Sequence, residues 1–359
     1  MTIGAYRITK AGERTPVIDE NRNLRVDVIR APATAGIDRD GDPYSGIQGS
    51  TYGFTAGGLT NNWSGAPSPP PSPVVQNIID RFPFGTFATA TDVGDLTVVK
   101  YGTAGQSSST HGYASGGFSP STNAIQKYPF AQSSGTASNV GTLTVARRVG
   151  AGTHSQTHGY SSAGNLSASP WTSNVIDKFP FASDGASSDV GDATYAGYFK
   201  SGQSSVTHGY SAGYFASGNV IEKHSFSSDG NATDVGDLQH GKGRLSGQSS
   251  TTDGYASGYE HNSISNMHIQ KFPFASDANA VVVGHGGYGA PYNRNTIGQS
   301  STTDGHISGG EYGPPPGTYT SLFADYNVVH RFPFAISSGA ATDVGDLTQA
   351  RNSASGNQV

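Results

Sequence analysis

Residues 157–205 read THGYSSAGNLSASPWTSNVIDKFPFASDGASSDVGDATYAGYFKSGQSS. The stretch opens on His158-Gly159-Tyr160 and continues through NVIDKFPF (174–181), where aliphatic and Phe residues alternate with Asp and Lys. SDVGDA (188–193) and a Gly/Ser run ending in GQSS (202–205) follow. These are four strand-sized pieces set apart by Ser, Asp, Gly and Ala, and none has the 3.6-residue period of a helix.

The same signals recur outward in both directions. The Gly-aromatic start returns at Tyr52-Gly53-Phe54, His111-Gly112-Tyr113, His208-Gly209-Tyr210, Asp253-Gly254-Tyr255 and Asp304-Gly305-His306. The aromatic strand returns as NIIDRFPF (77–84), NAIQKYPF (123–130), NVIEKHSF (219–226), MHIQKFPF (267–274) and NVVHRFPF (327–334). Alternation predicts one apolar side and one charged side for each, and the Pro, which has no N–H to donate, ends the ladder. TDVGDL recurs at 91–96, 233–238 and 342–347, with SNVGTL at 138–143 and a degenerate VVVGHG at 281–286. GQSS recurs at 105–108, 247–250 and 298–301, with THSQ at 153–156. Six copies of four short strands, repeating every ~50 residues, predict an all-β, six-bladed β-propeller.

The two ends complement each other. The last copy stops at ARNSASGNQV, a Gly/Ser strand with no Gly-aromatic strand after it, and the first copy, from STYGFTAGG, lacks a Gly/Ser strand. Residues 349–359 are therefore expected to complete the blade built from residues 50–97 and close the ring, removing the sheet edges of an open array. Residues 1–46 carry none of the repeat signals. TIGAYRIT and NLRVDVIRAP read as two short strands before a Pro/Ala/Gly connector. The expected organisation is an N-terminal β-arm and connector (1–46), docking onto a partner through its apolar strand faces, followed by the propeller (47–359).

HGYASGG (111–117), NAIQKYPF (123–130) and GTLTVARRVGAG (141–152) run in the order of a Tyr strand ending in Gly-Gly, an aliphatic-x-x-Tyr-Pro strand, an apolar strand and Ala-Arg. In this the chain resembles the kelch-repeat propellers, from residue 48 to the C-terminus. Every copy departs from them by carrying Val-Gly where the family has a Trp in its fourth strand. The wording KFPFASDG, TDVGDL and GQSS followed by THGY or TDGY is also similar to propeller proteins of marine bacteriophages, and that resemblance implies a virion component.

Composition narrows the classes. Gly makes up 50 of 359 residues and charged residues only 13%, yet 16 Phe and 18 Tyr at fixed offsets supply an apolar payload that low-complexity linkers lack. A net charge of -5 offers no nucleic-acid footprint. No apolar run reaches the ~18–20 residues of a membrane span, and the N-terminus has no apolar core of a secretory signal. With no Cys, disulfides and thiolate chemistry are excluded, including the Cys–Tyr cross-link that copper-radical propellers require.

The repeated polar residues read as construction. His111, His158 and His208 are replaced by Tyr52, Asp253 and Asp304 in the other copies, which favours turn capping over metal binding. Asp92/Asp95, Asp189/Asp192, Asp234/Asp237 and Asp343/Asp346 repeat in four copies, whereas a catalytic pair is normally unique. A sialidase-like chemistry would need clustered arginines, and the recurring cations (Arg81, Lys127, Lys178, Lys223, Lys271, Arg331) occupy one repeat position each, as solvated strand faces. The acidic run Asp38, Asp40, Asp42 in GIDRDGDPYSG is unique. It has the alternate oxygen ligands of a calcium loop but not the closing Glu, so calcium stands beside a plain polar linker.

Variation concentrates in the loops before the aromatic strands (59–76, 165–173, 260–266, 311–326), which share one face with the blade connections such as 285–295. That face is expected to collect Trp63, Trp171, Tyr259, Tyr288, Tyr292, Tyr312, Tyr319, Phe323 and Tyr326 as a ligand-binding surface, the alternative being that these rings cover the loops' own cores. The expected function is a non-enzymatic virion structural or recognition protein: a capsid decoration, tail or fibre-associated component made in the host cytoplasm. Its arm would be anchored on other virion proteins and its loop face would meet a host glycan or protein. The competing class is a cellular carbohydrate-binding or scaffold propeller.

Overall fold

The computed structural model describes residues 6–8, 14–16, 47–61, 72–214, 218–241, 243–258, 267–287, 293–312 and 324–359. The chain divides into two compact units, Met1–Tyr44 and Ser45–Val359. In the first, Tyr6–Ile8 pairs antiparallel with Arg14–Pro16. The described partner strand is RTP, and the expected second strand NLRVDVIRAP lies outside the described residues.

The second unit contains six four-stranded antiparallel sheets arranged as a propeller, with no helix among the described residues. From inner to outer strand, blade 1 is Ser355–Gln358, Tyr52–Thr60, Val74–Pro83 and Thr91–Asp95; blade 2 is Ala104–Ser107, His111–Ser115, Ala124–Pro129 and Ser138–Thr142; and blade 3 is Ala151–His154, His158–Asn165, Thr172–Pro180 and Ser188–Asp192. Blade 4 is Ser201–Ser204, His208–Tyr214, Gly218–Ser225 and Thr233–Asp237; blade 5 is Ser246–Ser249, Asp253–Gly258, His268–Pro273 and Val281–His285; and blade 6 is Ile297–Ser300, Asp304–Ser308, Val328–Pro333 and Thr342–Asp346. Each Gly/Ser strand is the innermost strand of the blade after its own repeat. The C-terminal one pairs with the first described strand of the unit, Ser355↔Ala56 through Gln358↔Gly53, and closes the ring as the sequence predicts.

The inner strands can meet because each carries a glycine at one level. A Cβ on Gly105, Gly152, Gly202, Gly247, Gly298 or Gly356 would stand 2.0–2.3 Å from the carbonyl oxygen of the equivalent glycine in the neighbouring blade. Beside this ring, Gln106, Gln203, Gln248 and Gln299 donate to the second strand of the following blade, at the carbonyls of Tyr160, Tyr255, His306 and Phe54, over 2.9–3.1 Å. The two departures are matched by departures opposite. Asn357 stands where Tyr128 replaces Phe, and its Oδ1 accepts from the Tyr128 hydroxyl at 2.9 Å. Thr153 stands where His224 replaces Phe, with its hydroxyl 3.5 Å from the ring nitrogen.

The fixed aromatic offsets follow from packing between blades. The last Phe of the aromatic strand stacks on the Tyr of the preceding blade in Tyr113–Phe181, Tyr160–Phe226, Tyr210–Phe274 and Tyr255–Phe334, with centroids 4.7–5.0 Å apart. Blades pack on both faces, so the aromatic strand has no fully solvated side. The expected charged side is therefore corrected: Asp80, Asp177 and Glu222 are buried and paired with Arg351, Arg147 and Lys200. An unpaired buried carboxylate would cost several kcal/mol, which is why acid and base occur together. Where Gln126 takes the acid's place, the buried Lys100 donates only to the carbonyls of Ala114 and Gly116, at 3.0 and 3.2 Å. The next residue along is half-buried and paired across blades, in Lys127–Asp184, Lys178–Asp229 and Lys223–Asp277.

The Val-Gly in the outer strand has a similar cause. A Cβ on Gly94 would stand 2.3 Å from the Gly135 carbonyl. Its absence lets that turn of blade 2 bond the outer strand of blade 1 through Asp95 N–H to Gly135 O (2.8 Å) and Ala137 N–H to Asp95 O (2.7 Å). A strand edge that would template aggregation is thereby covered by the neighbouring blade.

Candidate binding site

The alternation of strands puts two kinds of connection at opposite ends of the propeller. At one end lie the tight turns from first to second and from third to fourth strand. At this turn end His111, His158 and His208 hold the hydroxyls of Thr110, Thr157 and Thr207 at 2.8–2.9 Å, and Asp253 and Asp304 accept from Thr252 and Thr303 in the same way. The repeated Asp of TDVGD accepts from the backbone N–H of its own glycine, as in Gly94 to Asp92 at 2.9 Å. The expected turn roles are thus realised. Among the described residues no group of three or more His, Cys, Asp or Glu is placed to hold a metal. The chain enters at this end too: the buried Ile47 lines the central channel, its carbonyl accepts from Gln358 Nε2 at 2.6 Å, and Gln48 Nε2 donates to Ser249 O at 3.0 Å.

The other end, the loop end, carries the variable loops and the six connections between blades. Two residues before every inner strand the backbone turns left-handed, at Gly102 (φ 67°), Val149 (52°), Phe199 (60°), Arg244 (75°), Asn295 (55°) and Ser353 (54°). This turn points each N–H at its neighbour's carbonyl. Val149 donates to Gly102, Phe199 to Val149, Arg244 to Phe199, Asn295 to Arg244, Ser353 to Asn295 and Gly102 to Ser353, over 2.6–3.1 Å. Six backbone hydrogen bonds thus form a closed circle around the mouth of the channel.

Three spaces open in series through this mouth. A channel cavity of about 130 Å³ runs from Ile47 up to Lys200 and Leu245. A constriction of about 80 Å³ lies at the circle itself, and a funnel of about 340 Å³ opens above it, sharing Val149, Phe199, Arg244, Asn295 and Ser353 with the constriction. Leu59, Tyr101, Arg148, Asn165, Tyr198, Glu311 and Asn352 complete the funnel wall.

The cations here are held in place. The Arg148 guanidinium lies 4.3 Å from the Phe118 ring and 5.9 Å from Tyr101, its Nε donates to Asn165 Oδ1 and its Nη1 to the Tyr101 hydroxyl, both at 3.1 Å. Arg244 lies 4.7 Å over Phe199, and burial lowers its pKa. Glu311 is tied to Arg294 (2.7 Å) and Asn295 (2.9 Å). Asp325, whose pKa burial raises to about 6, accepts from Asn61 and Asn352 and so links blade 1, blade 6 and the closing segment. The arginines that recur in the sequence stay one to a blade, but Arg148, Arg244 and Arg294, which do not recur, gather at one mouth. Counting only the recurring cations missed them. The available signal was an aligned position that is Gly in one repeat and Val, Phe, Arg, Asn or Ser in the others.

Of the aromatic residues expected at the loop end, Trp171 is 60% exposed. Its loop is held by Trp171 N–H to Ala168 O (2.8 Å) and Asn165 Nδ2 to Trp171 O (2.9 Å). Tyr326 is half-buried, across the ring from Trp171, with backbone bonds to Gly310 and Arg351. Tyr312 belongs to a small sheet of Asn293–Arg294, Glu311–Tyr312 and Ala324–Asp325. Trp63, Tyr259, Tyr288, Tyr292, Tyr319 and Phe323, and the acidic run Asp38, Asp40 and Asp42, lie outside the described residues.

No family model matches the sequence, and no curated protein matches it. Among solved structures the chain is similar to YjhT, with a TM-score of 0.59 and 9% identity over 72% of this chain and 88% of that one. At that identity the likeness speaks for the propeller fold alone.

Proposed function

We propose that this protein is a non-enzymatic recognition module of kelch type that meets its ligand at the loop end and is carried on a virus particle as a capsid decoration, tail or fibre-associated component. The observation that carries the reading is a division of labour. The repeated His and Asp residues are engaged in turns and three of the repeated Lys (Lys127, Lys178 and Lys223) in ion pairs, while side chains that differ from blade to blade converge on one mouth. Among the described residues, the two carboxylates near that mouth are already tied to protein donors, Glu311 to Arg294 and Asn295, and Asp325 to Asn61 and Asn352. Placement on a particle rests on the similarity of the repeat wording to phage propellers, with residues 1–46 as the anchor and propeller recognition turned outward to the host.

Sedimentation of purified particles tests the placement. The protein is expected in the particle fraction and is expected to leave it when residues 1–46 are deleted. Absence of the full chain from purified particles contradicts the virion reading. The exposed Trp171 keeps the cellular carbohydrate-binding alternative specific, because an aromatic face of that kind suits a sugar ring. Retention of non-viral glycans that is lost in Trp171→Ala, with no particle association, favours that alternative.

A further inference from the structure

The circle at the mouth presents a choice that the sequence could have made cheaply. Its backbone geometry suits glycine, and Gly102 shows that glycine serves there. Five blades nevertheless place a side chain on it, three of them Val, Phe and Arg, for which a left-handed backbone is strained. Strain held at three equivalent positions, with Asn and Ser side chains at two more and all five lining the same funnel, marks those side chains as selected for what they touch rather than for the turn they make.

We propose that the funnel is a binding site for a hydroxylated oxyanion the size of one sugar unit, carboxylated or sulfated; the proposal rests on the recognition reading above and names the ligand class of its site. The charge comes from Arg148. It makes no ion pair among the described residues, and the bonds from its Nε to Asn165 and its Nη1 to Tyr101, with Phe118 beneath, fix the guanidinium plane and leave Nη2 with no hydrogen bond among the described residues, an arrangement that suits an oxyanion. Arg244, pinned over Phe199, adds a second cation to the wall, and Glu311, whose charge also acts on Arg244, is at the same time paired with Arg294. The remaining wall is rich in amides and hydroxyls, which match the hydroxyls of a sugar, and 340 Å³ lies at the small end of the ~300–1,000 Å³ range of ligand clefts.

Calorimetric titration of the full chain with glucuronate, glucose 6-sulfate and glucose tests this. Saturable binding of either acidic sugar is expected, with glucose weaker by about tenfold or more, as befits the loss of a charge-assisted pair. Arg148→Gln should weaken the acidic sugar by a similar factor while Arg148→Lys retains part of the affinity. Val149→Gly should raise the urea midpoint and weaken binding together, a combination that a merely structural turn would not produce. Absence of saturable binding by both acidic sugars overturns the proposal, as does binding that survives Arg148→Gln unchanged. If binding fails while the protein still sediments with particles, the ligand class is wrong and the recognition reading stands; if both fail, the reading fails with it.

Discussion

Replacing Gly202 with alanine puts the ring itself to the test. The new Cβ would stand 2.1 Å from the Gly152 carbonyl oxygen, and both atoms belong to backbone that cannot swing aside. Relief requires blades 3 and 4 to separate by about 1 Å, judged against ordinary carbon–oxygen contact distances. That movement stretches the bonds from Phe199 N–H to Val149 O (2.7 Å), His154 N–H to Ser204 Oγ (3.0 Å) and Ala232 N–H to Asp192 O (2.8 Å). Overpacking of this kind costs ~1–3 kcal/mol, and weakening one or two of these bonds adds about 1 kcal/mol each. The expected loss is therefore ~2–5 kcal/mol, read as a lower midpoint in urea unfolding followed by circular dichroism. Gly185→Ala is the matched control, since a Cβ there meets nothing within 4 Å. It should be neutral or stabilising by up to ~1 kcal/mol. If Gly202→Ala unfolds at the same urea concentration as Gly185→Ala, the glycine ring does not close the propeller and the packing argument is wrong.

Two further outcomes follow from the interior. Tyr128→Phe should cost ~1–3 kcal/mol by leaving the buried Asn357 Oδ1 without its donor, and adding Asn357→Gln should recover most of it by restoring the Gln-and-Phe pairing of other blades; a double-mutant cycle without coupling refutes the compensation. Burial lowers the Lys100 pKa from 10.5 to about 7. The unfolded chain therefore binds the extra proton between these values, so stability rises with pH across that window and the penalty is complete below about 7. Its full size is on the order of 5 kcal/mol, and Lys100→Met should flatten the rise in urea stability between pH 7 and 9; an unchanged slope refutes the assignment.

The propeller was legible in the sequence because its determinants repeat. The Gly/Ser strand, the aromatic strand and the Val-Gly strand each serve one packing role six times, so spacing alone exposes the blades and the complementary ends expose the closure. What repetition hides is which side of a strand meets solvent. NVIDKFPF alternates like a half-solvated strand, yet Asp177 is buried because a blade in a ring has neighbours on both faces, and its partner Arg147 lies in a connection that alternation cannot place. The site was less legible for the opposite reason. Trp171 was visible as an exposed loop aromatic, but Val149, Phe199 and Arg244 share only an aligned position that is Gly in one repeat, and the left-handed φ that gives that position its meaning is invisible until the chain is folded. Arg148 and Glu311, far apart in sequence, reach one funnel only because the ring is closed.

That closure is the claim on which the placement of every blade and of the mouth depends. Ending the chain after Ala354 removes Ser355–Gln358, the inner strand of blade 1, together with Gly356 from the glycine ring and Asn357 from its bonds to Tyr128 and Tyr113. The most direct measurement is urea unfolding of this shortened chain with and without a synthetic peptide of residues 349–359. A marked fall in the midpoint, restored in proportion to added peptide, is the predicted result. A shortened chain that unfolds at the same urea concentration as the full chain, indifferent to the peptide, would contradict the account.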